Sequence, residues 1–512
     1  MSKRSFIILT SLTIVLVTLP YLFAARSGGD SLVFNGFLLN PIDGNSYLSK
    51  MREGWLGHWQ FTLLNSSQAP HGSFLFLFYI FLGHASRWLG LPLIITFHAV
   101  RVMGAFLLCL TLYRFVDVYL EWHSPRTKTI AFALLCFGSG FGWLAAFFGG
   151  FTADFWVAEA YPFLSMYSNP HFPLGLALIL DFFIHLRRST TRGDLAWLVA
   201  KGIILAIVMP FGVVVAGLVA GGVQLWELIK RTHPVRWWML GFLIPGGLFL
   251  IYQYAVIQSD PVLAGWNAQN LTYTPPLWDI LISLSPALIL AVAVIVGLIK
   301  SRKIEDYKLL LVWLAAGLIL AYLPFQLQRR FLLGLFIPIA CLSAVAIDWL
   351  VVSGKKLLRV GAIMAVAASM ISNLFIMIGG LSAAARHQPE LYYSESMQGA
   401  FDWMLANRRD DLVVLAAPGT AAIIPGATGW RVVYGHPYET PNSDQRKREV
   451  EQIFSGQMSP AVVEQYVGTF GIDIVFVGPR ERTLGGDISW TKDFTVAYEN
   501  PDVTLYRTNL GR

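Results

Sequence analysis

Residues 1–380 carry eleven apolar runs, most of them long enough to cross a bilayer, and these runs exclude nearly every soluble architecture. The first follows Lys3 and Arg4 and covers residues 5–24, about 20 residues, enough for a ~30 Å hydrocarbon core. Ala24-Ala25-Arg26 is a poor small-residue cleavage site, so this run reads as an uncleaved helix and not a signal peptide. The others are 92–118, 128–148, 172–186, 195–209, 212–229, 237–257, 278–299, 309–325, 331–352 and 360–379. The chain is 55% hydrophobic and only 13% charged, about half the charge of a soluble domain, so lipid is the solvent that suits it.

Basic residues then orient the helices. Arg126/Lys128, Arg187/Arg188/Arg192, Lys230/Arg231/Arg236, Lys300/Arg302/Lys303/Lys308 and Lys355/Lys356/Arg359 fall at every second connection, on the side of Lys3 and Arg4 if there are eleven spans. That side is cytoplasmic by the excess of Lys and Arg in retained loops. The expectation is a multi-pass protein of the cell (inner) membrane with a cytoplasmic N-terminus and an extracytoplasmic C-terminal domain. A further apolar stretch, 71–90, would reverse every later cluster if it spanned, so it is read as a helix at or re-entering the outer surface. Pro210 marks a tight outer turn. The expected division is a transmembrane domain, 1–380, with outer loops 26–91 and 149–171, and a soluble domain, 381–512.

Charge follows the same division. Residues 381–512 hold 12 Lys and Arg against 16 Asp and Glu, leaving 26 against 15 in residues 1–380. The basic excess belongs to the membrane part, and membrane lipids rather than nucleic acid are the expected partner. Cys109, Cys136 and Cys341 lie inside apolar runs and supply neither a disulfide framework nor a CxxC metal site.

The tail reads as a small α/β domain. β-rich runs at 412–416, 431–434, 473–477, 495–498 and 503–506 alternate with helical patterns at 396–407, 443–454 and 461–470, the last opening on Ser459-Pro460. It contains neither G-x-G-x-x-G nor G-x-x-x-x-G-K-[ST], so no nucleotide cofactor is expected.

Polar residues with chemical capacity gather on the outer side. Asp43, in Pro41-Ile42-Asp43-Gly44-Asn45-Ser46-Tyr47, can serve as a general base or metal ligand; as a helix cap it would need no further role. The second outer loop brings Asp154, Glu159 and His171 among aromatics close to the bilayer, where charges usually face water, a partner or a ligand. An interfacial belt with solvated acids is the plainer account of the same residues. Arg329-Arg330 stand on the outer side, against the charge rule, and suit either a phosphate ligand or lipid phosphates reached by snorkelling.

An uncleaved first helix, a long outer loop with an early Asp43, a surface helix and an Arg101-bearing second helix together resemble the GT-C superfamily of membrane glycosyltransferases. The closer likeness is to bacterial protein mannosyltransferases and aminoarabinose transferases, best over residues 5–171. The tail is similar to the periplasmic domain of some of them, on Ala400-Phe401-Asp402-Trp403-Met404, Val413-Val414-Leu415-Ala416, Gly435-His436-Pro437-Tyr438-Glu439-Thr440 and Gly471-Ile472-Asp473-Ile474-Val475-Phe476-Val477-Gly478.

That resemblance implies a polyprenyl-phosphate-linked sugar donor used outside the cytoplasm and an acceptor that is a lipid, glycan or protein. It places the first-loop acid at Asp43, the second at Glu159 or Asp154, and the phosphate-binding arginine at Arg329 or Arg330. Where members use a divalent metal ion, Asp43, Glu159 and His171 would hold it. Many members carry adjacent acids in the first loop, whereas Gly44 follows Asp43 here. The alternatives to a glycosyltransferase are a transporter or lipid flippase of a cell-envelope pathway, and a non-catalytic assembly or sensing protein. A transporter would show internal repeats and ionisable groups at mid-membrane, and the sequence shows charges at one surface instead.

Overall fold

A computed structural model describes residues 1–187, 192–324, 326–354, 356–409 and 411–509. Arg188, Lys355, Phe325 and Arg512 therefore lie outside the described residues. The chain forms two compact units: one comprises 1–20, 98–251 and 272–382; the other comprises 21–97, 252–271 and 383–512.

Each of the eleven apolar runs contributes helix among the described residues. Among the described residues, seven helices are long and apolar enough to cross a membrane, or eight if a bent pair counts as one span. The seven are Lys3–Ser27, Leu93–Tyr119, Pro125–Ala146, Pro210–Ile229, Met239–Ser259, Gln328–Val352 and Lys356–Ala385. The bent pair, Leu277–Leu284 and Ala287–Lys300, turns by 86° within the run expected at 278–299. The remaining expected spans are shorter helices: His171–His185, Arg192–Val208 and Lys308–Ala321.

In the first unit, Phe336–Val352 is the central helix. Residues Phe336 to Ile347 are all buried, because a helix apolar on every side can face neighbours all round. It packs against Ala287–Lys300 and Pro125–Phe137. Arg101 is wholly buried, and its Nη1 donates to the carbonyls of Val17, 2.8 Å, and Met166, 2.9 Å. A guanidinium buried this completely needs such carbonyls, and here it ties the first helix to Pro162–Tyr167. Asp117, Asp181 and Asp348 pair with Lys128, Lys201 and Arg126 at 2.7, 2.7 and 2.6 Å.

The second unit is built on the tail but extends beyond it. Strands β1 (Leu32–Phe34) and β2 (Tyr392–Ser394) pair antiparallel. Five further strands are β3 (Val413–Leu415), β4 (Arg431–Val432), β5 (Ile474–Val477), β6 (Thr495–Glu499) and β7 (Thr504–Arg507), in sheet order β4-β3-β5-β7-β6. The β3 pairings with β4 and β5 are parallel; β7 runs antiparallel to β5 and β6. Alternate residues of β3 and β5 enter opposite cores. Val414, Ile474 and Phe476 meet the Glu395–Ala406 helix, while Val413, Leu415 and Val475 meet Ser443–Phe454 and Pro460–Phe470. Burial on both faces explains why these strands read as unbroken apolar runs.

The apolar stretch 71–90 contributes a helix of only 13 residues, Leu77–Leu89, about 20 Å long at 1.5 Å per residue and short of a ~30 Å core. It crosses the Pro41–Leu56 helix closely: a Cβ on Gly54 would meet the Ile80 carbonyl oxygen at 1.9 Å, and one on Gly83 the Met51 oxygen at 1.8 Å. Either glycine replaced by alanine would force the two helices apart.

Candidate functional site

Asp43 sits in the first turn of Pro41–Leu56, and the cap is its neighbour. Asn40 adopts a left-handed conformation, φ 48°, which asparagine tolerates, and accepts the Asp43 N–H; Pro41 pre-sets the first helical φ. The capping account of Asp43 therefore passes to Asn40, and the carboxylate is available for other partners. Its Oδ2 accepts from Asn40 Nδ2 at 2.6 Å, and its Oδ1 accepts from His436 Nε2 at 3.0 Å. The Asp43 side chain remains 39% exposed while that of His436 is 5% exposed. The absence of a second acid also has a cause: a Cβ at Gly44 would lie 2.3 Å from the Phe37 ring.

Seven residues further along the same helix, Lys50 is wholly buried. Its Nζ donates to Glu439 Oε1 at 2.7 Å and to Ser46 Oγ at 2.6 Å, and stands 4.5 Å from the centre of the Phe76 ring. Ser46 Oγ donates to the same Glu439 oxygen at 2.6 Å, and Asn65 Nδ2 donates to Oε2 at 2.9 Å. Burial pushes the Glu439 carboxyl upward, but the ammonium of Lys50 and the hydrogen bonds outweigh it and hold the group at about 2. Glu53, on the next turn, lacks such close cationic company. Burial dominates there, and its carboxyl is raised to about 7 despite hydrogen bonds from Thr62.

In the first unit, the second-loop acids separate. Glu159 is buried, and its Oε1 lies 3.4 Å from both Arg329 Nε and Arg330 Nη1. Arg329 stacks over Trp156 at 4.8 Å. The Nε atoms of both arginines are buried and have no hydrogen-bond partner among the described residues. Two guanidiniums against one carboxylate leave a positive excess with N–H donors to spare. Asp154 is instead wholly buried: Oδ2 accepts the N–H groups of Gly140, 3.2 Å, and Gly142, 3.0 Å, and Oδ1 accepts from Thr152 at 2.7 Å. Burial raises its pKa, and its bonds are those of a loop brace. His171 opens the His171–His185 helix, its ring 4.0 Å from that of Phe172.

No protein-family model and no curated protein matches the sequence. Solved structures do match. The oligosaccharyltransferase of Archaeoglobus fulgidus, crystallised with zinc and sulfate, superposes with a TM-score of 0.53 at 13% identity over 98% of this chain and 73% of that one. The archaeal oligosaccharyltransferase AglB of the same organism, bound to an inhibitory peptide and a dolichol-phosphate, gives 0.54 at 12% identity over 99% and 74%. The mycobacterial arabinofuranosyltransferase AftD gives 0.52 at 14% identity; this chain is covered completely and spans 40% of that one. The fold is that of the GT-C membrane glycosyltransferases.

The sequence named Asp43, Glu159 and His171 as a metal set. Among the described residues, no group of three or more His, Cys, Asp or Glu side chains is gathered to hold an ion. Glu159 is drawn to two guanidiniums, and Asp43 to an imidazole and an amide. The residues that sequence reasoning missed are Asn40, His436 and the Lys50–Glu439 pair. The dense run of polar groups from Gly435 to Thr440 was the one local signal for them.

Proposed function

We propose that this protein is a membrane glycosyltransferase that moves a sugar from a polyprenyl-phosphate-linked donor to an acceptor hydroxyl at the outer face of the membrane. The observation that carries this reading is a GT-C fold in which an early carboxylate, Asp43, is gripped at both oxygens yet stays partly exposed. Asp43 takes the acceptor's hydroxyl proton as that oxygen bonds to the anomeric carbon. The bond from the anomeric carbon to the phosphate oxygen breaks, and polyprenyl phosphate departs with the electron pair. Asp43 then returns its proton to water. In the first unit, Arg329 and Arg330 are the groups suited to a phosphate: Glu159 sets the orientation of both guanidiniums and faces only one nitrogen of each. The two dolichol-phosphate and peptide ligands of AglB fit the same class of donor and acceptor. No step is assigned to a metal ion.

Arg329→Ala and Arg330→Ala are expected to raise the donor KM by about 10-fold each, with a smaller fall in kcat, in transfer assays on protein reconstituted in vesicles. An unchanged donor KM in both would remove the phosphate assignment. Vesicles in which a lipid crosses the bilayer and no sugar is transferred would mark a transporter instead. The proposed location places Lys3 in the cytoplasm and the 383–509 segment outside the cytoplasm. Reporter fusions after Met1 and after residue 512 should therefore report opposite sides, and a cytoplasmic report from both would refute the orientation.

A further inference from the structure

We infer that His436, contributed by the tail, is a positioning residue that orients the Asp43 carboxylate for proton abstraction, an inference that rests on the reading of Asp43 above. Nothing in the sequence ties the two residues, which stand 393 positions apart. The ring's tautomer follows from its neighbours. His436 Nδ1 lies 3.1 Å from the Tyr438 N–H and 3.2 Å from the Glu439 N–H, so it accepts. The ring proton is on Nε2, which donates to Asp43 Oδ1. With Nδ1 occupied by two backbone donors, the imidazole cannot serve as the base with Asp43 as its orienter. The roles run the other way: the carboxylate is the base and the ring fixes its plane.

The loop that carries His436 is built to hold that ring still. Thr440 Oγ1 accepts the N–H groups of Gly435 and His436, both at 3.1 Å, and donates to the Asn65 carbonyl at 2.7 Å. Gln269 Nε2 donates to the carbonyls of Tyr438, 3.2 Å, and Thr440, 2.5 Å. Glu439, the third residue after the histidine, takes Lys50 from the same helix that carries Asp43. The loop thus grips that helix twice, at Asp43 through an imidazole and two turns later through a buried ion pair. Asn40 completes the hold on the second carboxylate oxygen. A base fixed by two donors on two different segments is pre-organised, and a misplacement near 1 Å typically costs on the order of 100-fold in rate.

Two isosteric substitutions separate positioning from folding. In His436→Asn, the amide oxygen replaces Nδ1 and keeps the acceptor for the loop, but residue 436 no longer donates to Asp43. In His436→Gln, the amide nitrogen falls near the place of Nε2 and the donor is restored. Full-length protein in vesicles, assayed with a polyprenyl-phosphate-linked sugar, should lose about 10- to 100-fold in kcat in H436N with donor KM within about twofold. H436Q should recover at least about a third of the wild-type kcat. Wild-type kcat in H436N, an H436Q no better than H436N, or a change confined to KM would overturn the positioning role. Asp43→Asn assayed beside them keeps the two levels apart. A fully active D43N, or a wild type that transfers nothing, overturns the reading of Asp43 itself. An inactive D43N with an active H436N overturns only the role of His436.

Discussion

Asp43→Asn is expected to reduce sugar transfer by about 100-fold or more while leaving the protein folded. Asparagine keeps the size of the side chain and one acceptor oxygen, so one of the two bonds from Asn40 and His436 survives. The structural loss is one charge-assisted hydrogen bond and the favourable placement of an acid in a helix first turn, about 0.3–1 kcal/mol for the latter. Because the cap is Asn40, the helix start does not depend on residue 43 carrying a charge. The proton acceptor, by contrast, is gone. Transfer rates beside thermal unfolding curves of the purified variant measure both effects, and a D43N enzyme with wild-type kcat would remove Asp43 from the chemistry.

The second large effect concerns stability. Lys50→Met should destabilise the second unit by about 3–5 kcal/mol, because it leaves Glu439 buried and charged without its cation. Ser46 and Asn65 still donate to the carboxylate, but two neutral hydrogen bonds do not replace an ammonium. The double substitution Lys50→Met with Glu439→Leu should recover most of the loss, since an apolar pair of similar volume carries no desolvation penalty. A single variant as stable as the wild type, or a double variant no better than the single, would contradict this account. The pH dependence follows from the same pair. Glu439 is held at about 2 against an ordinary 4.5, a depressed carboxyl, so its contribution is complete above pH 4.5 and disappears as pH falls through 2.

How much of this was legible depends on the distance over which each feature is encoded. The membrane helices were written locally, in runs whose apolar residues need no partner to be recognised. Their lengths were less so: the expected span at 278–299 is broken by an 86° bend, and the run at 309–325 yields a helix ending at Ala321. In the tail, five strands and three helices lie where alternation and periodicity put them, most plainly in β3 and β5, which are buried on both faces. The arginine pair beside Glu159 was half visible, since a charge against the orienting rule points to a partner without naming it. Lys50 looked like one cation on an amphipathic segment, and Glu439 like one acid in a loop. Their pairing is a product of tertiary structure, across 389 residues of chain. The same holds for His436, whose role depends on which of its ring nitrogens faces the backbone.

The most direct test of the central claim counts products. Full-length protein in vesicles, given a polyprenyl-phosphate donor labelled in the sugar and a mixture of lipid, glycan and peptide acceptors, should release one polyprenyl phosphate for each labelled sugar joined to an acceptor. D43N should release neither above background. Label that reaches the opposite leaflet still attached to its lipid, or polyprenyl phosphate released with no acceptor product, would contradict the account.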